Sequence, residues 1–63
     1  MKFYFSADKD HSYLALIIHL TLELYRFEAN PIARTIIIPD QMEFDKDKLN
    51  QKIINEYGGE VQD

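Results

Sequence analysis

Sixty-three residues with a net charge of −4 and no cysteine make one domain at most, with no disulfide and no thiolate metal centre to staple it. Two histidines are too few for a structural zinc, and without a basic stripe direct binding to nucleic-acid phosphates is disfavoured. A chain of this size buries only about 60% of its extended surface, so self-association or a partner is expected to complete it.

Met1-Lys-Phe-Tyr-Phe5 reads as a short strand, with Phe3 and Phe5 pointing one way and Lys2 and Tyr4 the other. Ser6, Asp8 and Asp10 are all acceptable N-caps, and their acids suit the positive end of a helix dipole. A long helix is then predicted from about residue 9 to residue 28, ended by Asn30 before Pro31. At 100° per residue its apolar arc holds Leu16, Phe27, Leu20, Tyr13, Leu24 and Ile17. Leu14, Tyr25, Ile18 and Leu22 widen that arc to well beyond half the circumference. Only Ser12, Ala15, His19, Glu23 and Arg26 remain as a solvent strip. A surface helix needs an apolar stripe of roughly 100°, so this one is expected to be covered on both flanks.

After a turn at Pro31-Ile-Ala, the run Arg34-Thr-Ile-Ile-Ile38 reads as a second strand, whose three isoleucines lack alternation and argue for burial on both faces. Strand, long helix and strand make a βαβ unit with parallel strands. Gln41 to Phe44 is loop. Asp45 is the expected N-cap of a shorter C-terminal helix, stapled by Phe44 and Leu49. Leu49, Ile53, Ile54 and Tyr57 form its inward face, Gly58-Gly59 closes it, and residues 58–63 are a tail that frays. The expected fold is therefore a small α/β domain of βαβα order, 1–63, completed by dimerisation or a partner, because two strands alone do not stand in water.

Three clusters have residue types that can do chemistry, and each has a plainer explanation. Asp8, Asp10 and His11 could ligate a hard metal, but acids at a helix N-terminus account for them. Asp45, Asp47 and Glu56 match positions of a calcium loop, yet Asn50 occupies the place of the obligatory glycine. His19 and Glu23, with Arg26 beyond them, have the spacing of side-chain pairs on an exposed helix face. No Ser-His-Asp order and no glycine-rich phosphate loop are present, so neither an enzyme nor a cofactor is expected.

Two surfaces fit partners better. Leu14, Ile18, Leu22 and Tyr25 are the surplus flank of the long helix, an apolar patch for a second copy or a partner protein. The charge excess lies wholly in residues 35–63, where seven acids face three lysines. Asp40, Glu43, Asp45 and Asp47 could meet a basic protein. The longest uncharged run, His11 to Leu22, is too short to span a bilayer. The expectation is a cytosolic, non-enzymatic interaction module, an accessory or inhibitory protein of the phage anti-host or antitoxin kind. A small subunit of a larger complex and a dimeric nucleic-acid-binding regulator are the alternatives.

Overall fold

The computed structural model describes residues 1–39 and 45–62. Its element order is β1 (Lys2–Tyr4), a single 3-10 turn (Ala7–Lys9), α1 (Asp10–Leu22), β2 (Glu28–Asn30), β3 (Thr35–Ile37), α2 (Lys46–Tyr57) and β4 (Glu60–Val61). The strands form one antiparallel sheet in the order β2-β3-β1-β4. This βαββαβ connectivity is the split β-α-β arrangement. The fold is thus mixed α/β, but two strands richer than the βαβα order predicted from sequence.

The expected parallel pairing is replaced by an antiparallel one, in which Phe3 lies opposite Ile36. The cause is β2, which begins at Glu28, the last residue of the expected long helix. Its hairpin with β3 reverses the chain before Ile36 reaches the sheet. The Asn30 side chain accepts from the backbone N–H groups of Ile32 and Ala33, both at 3.1 Å, and so holds the turn. Arg34 leaves the turn at a left-handed φ of 55°. Its carbonyl accepts from the Phe5 N–H at 2.8 Å, and its Nε reaches Asp10 Oδ1 at 3.0 Å.

Helix α1 stops at Leu22 rather than near residue 28 because of a Schellman-type cap. Leu24 adopts a φ of 61°; its N–H donates to the Thr21 carbonyl at 3.2 Å and that of Tyr25 to Leu20 at 2.9 Å. Glycine usually takes this left-handed position, where a side chain costs about 1–2 kcal/mol. Leu24 is 84% exposed, so little packing offsets that cost. Leu24→Gly is expected to stabilise the fold by about 0.5–1 kcal/mol, after subtracting the extra freedom glycine gives the unfolded chain. The midpoint of urea unfolding checks it; a lower midpoint would show that Leu24 packs in a way its exposure hides.

The core comprises Phe3, Phe5, Ile36 and Ile38 from the sheet, Tyr13, Leu16 and Leu20 from α1, and Leu49 and Ile53 from α2. Because both helices contribute to one cluster, they cover the same face of the sheet. Lys2, Tyr4, Thr35 and Ile37 alternate onto the other face. Ile37 is consequently 38% exposed, and the three isoleucines do alternate, contrary to the expectation of burial on both sides. Phe5 and Tyr13 meet edge to face at 5.5 Å. The Tyr13 hydroxyl donates to the Thr35 carbonyl at 3.0 Å, and burial raises its pKa.

Helix α2 begins as predicted, with the Asp45 carboxylate accepting from the Lys48 N–H at 3.1 Å. Asp45→Ala should cost about 1 kcal/mol, measurable as a lower thermal midpoint; no loss would show that the cap contributes nothing. The companion staple through Phe44 lies outside the described residues. Gly58, at a left-handed φ of 70°, ends the helix and its carbonyl accepts from Lys9 Nζ at 3.2 Å. Residues 59–62 are not a frayed tail: Glu60–Val61 pairs with β1, and the Gln62 N–H donates to the Lys2 carbonyl at 2.8 Å. On α2, Ile54 is 39% exposed rather than inward, since Leu49 and Ile53 already fill that sector.

Candidate docking surface

The inward sector of α1 is narrow. Tyr13, Leu16 and Leu20 fill it, with Ile17 half-buried beside them. Leu14, Ile18 and Leu22 recur every fourth residue and so share one face, roughly opposite the buried one. They are 56%, 60% and 76% exposed. Beside them Ala15 and Thr21 are exposed and small. The Thr21 hydroxyl is already bonded to the Ile17 carbonyl at 2.8 Å, so covering it strands no donor. No Asp, Glu, Lys or Arg occurs from His11 to Leu22, although His11 and His19 do. The result is an apolar ridge from Leu14 to Leu22.

Tyr25, the fourth residue expected in this patch, belongs elsewhere. It is half-buried, packs against the core and lines a groove on the α2 side. Of the strip expected to face water, Ala15, Glu23 and Arg26 are exposed, while Ser12 and His19 are half-buried. His19 and Glu23 lie on the side of α1 that meets α2.

Between α1 and α2 lies an open groove of about 610 Å³, lined by His19, Glu23, Tyr25, Lys48, Lys52 and Glu56 among others. The His19 ring lies 6.2 Å from that of Tyr57, tilted by 36°, and Lys52 pairs with Glu56 at 3.5 Å. Sequence spacing put His19 beside Glu23 but gave no sign of Lys48 and Lys52, which arrive only through helix packing. Glu23, Lys48, Lys52 and Glu56 are exposed there, and His19 is half-buried.

The remaining candidates separate in space. Asp10 pairs with Arg34, while Asp8 accepts from the Ser6 hydroxyl. That bond, helped by its own backbone N–H, lowers the Asp8 pKa. Among the described residues, no three histidine or carboxylate side chains gather as metal ligands. Asp45 serves as a cap and Asp47 is exposed in the first turn of α2; Asp40 and Glu43 lie outside the described residues. No helix among the described residues is long and apolar enough to cross a membrane. A scan against family models found no match to this chain, and searches of curated proteins and of solved structures found none either.

Proposed function

We propose that this chain is a non-enzymatic docking module of the cytoplasm, which acts by laying the outer face of α1 against another protein surface. The observation that carries this reading is the stripe of Leu14, Ile18 and Leu22, exposed on a helix whose inward face is already full. Scattered surface leucines are ordinary. Three in register on one helix face form a contiguous patch, and such patches mark interaction sites. An accessory or inhibitory role fits a module that can occupy another protein's surface with one helix face.

The test is capture from an extract of the source cells, or of their infecting phage's host, by the immobilised chain. Wild type should retain a discrete protein or further copies of itself, and Leu14→Asp and Ile18→Asp should lose them while keeping native circular dichroism. Capture that survives both substitutions would move the docking surface off α1.

A further inference from the structure

Two opposite charges line the groove between α1 and α2, one from each helix, and nothing neutralises them. Among the described residues, neither the Glu23 carboxylate nor the Lys48 ammonium makes a hydrogen bond or ion pair, with the other or with a neighbour. The remaining acids and lysine of the described lining are committed. The Asp45 carboxylate caps α2, and Lys52 pairs with Glu56.

Each of the two charges also sits at the wrong end of its helix. Glu23 is the C-cap residue of α1, where the dipole favours a cation. Lys48 is the third residue of α2, where the dipole favours an acid. Glutamate or glutamine there would complete a capping box with Asp45. Exchanged, the same two residues would suit both helices, so helix stability does not account for their order. A chain this short has little stability in reserve, and local rules are broken chiefly at functional sites.

We infer that the groove binds a small zwitterion, a free amino acid or a short peptide with unblocked ends. Its ammonium meets Glu23 and its carboxylate meets Lys48. A simple anion or a simple cation would satisfy one helix's charge and leave the other unmatched. The site is separate from the outer face of α1 and does not depend on the docking reading. Leu49 is buried and Tyr25 half-buried in the lining, apolar ground for a ligand side chain. Gln51 and Asn55, four apart on α2, offer exposed amides that can both donate to and accept from a peptide group. A volume of about 610 Å³ falls within the range of small-molecule sites. Because both charges are exposed, each contact is modest, and the dissociation constant should be on the order of 1 mM.

NMR titration of the full chain with L-phenylalanine and with trialanine tests this. At least one should shift the Tyr25, Lys48 and Gln51 amides saturably, and which one does so tells amino acid from peptide. Hydrocinnamate and phenethylamine, each lacking one charge, should bind at least about tenfold more weakly than phenylalanine. Trialanine acetylated or amidated at one end should lose as much. Glu23→Gln and Lys48→Gln should each weaken binding about tenfold while leaving the urea midpoint unchanged or higher, a combination that damage to the fold does not produce. The exchanged chain, Glu23→Lys with Lys48→Glu, should bind within about threefold of wild type, with the ligand reversed. No saturable shift with either probe would overturn the proposal, as would blocked probes that bind as well as the zwitterions. Full affinity in the neutral variants, or an exchanged chain no better than they are, would do the same.

Discussion

Phe5→Ala is expected to leave the chain unfolded at 25 °C. Phe5 is fully buried just beyond β1, its ring edge to face with Tyr13 of α1. Gly59 packs so closely that a methyl group there would sit 2.9 Å from the Phe5 ring and 2.8 Å from Ile53. One side chain thus joins the sheet, α1 and the end of α2. Truncating a buried phenylalanine costs about 3–5 kcal/mol. A single core in a chain this short rarely supplies more than about 3–5 kcal/mol, so the loss removes most or all of it. Dispersion of methyl and amide NMR signals should collapse together. A variant that melts cooperatively within a few degrees of wild type would mean that the three elements are held independently.

The double substitution Leu14→Asp, Leu22→Asp should have the opposite profile. Both residues are more than half exposed, and surface changes of this kind usually alter stability by about 0.5 kcal/mol or less. Docking, by contrast, would forfeit the apolar gain. Fully burying a leucine or isoleucine is worth about 1.5–3 kcal/mol, and the exposed parts of Leu14, Ile18 and Leu22 amount to roughly two such side chains. That corresponds to on the order of 3–6 kcal/mol per protomer, before the cost of association. Removing two of the three, and placing charge in their stead, should weaken binding at this face by more than about 100-fold. Global unfolding by these substitutions would place the residues in the core and end the docking reading.

The contrast between Leu14 and Leu16 shows what periodicity alone can and cannot resolve. An unbroken apolar run announces a helix, yet on a helix greasy nearly all round no sector stands out as inward. The choice is made by α2 and the sheet, which need only Tyr13, Leu16 and Leu20. Helix α2 was legible because its signals are sharp: an aspartate cap, two buried positions four apart, and a glycine stop. The end of α1 was not, because a leucine takes the left-handed position where glycine would have marked it. Nor was β2, whose Glu28, Ala29 and Asn30 are all exposed and contribute backbone hydrogen bonds rather than hydrophobic pattern. Missing β2 inverted the direction assigned to β3. The two-residue β4 lies below any pattern that alternation can reveal. At the groove, His19 and Glu23 were visible as a helix pair, whereas their lysine neighbours depend on the helix crossing.

The central place of β1 has a kinetic consequence. Phe3 pairs with Ile36 on one side and with Val61 on the other, so its neighbours lie 33 and 58 positions away along the chain. Each loop must close before its own row of backbone bonds can form, and the entropy of closure falls on the barrier. Only the β2–β3 hairpin and the two helices can assemble from nearby residues. Folding should therefore be slower than in helical bundles of equal length, with β1 docking last and its amides reporting the completed fold.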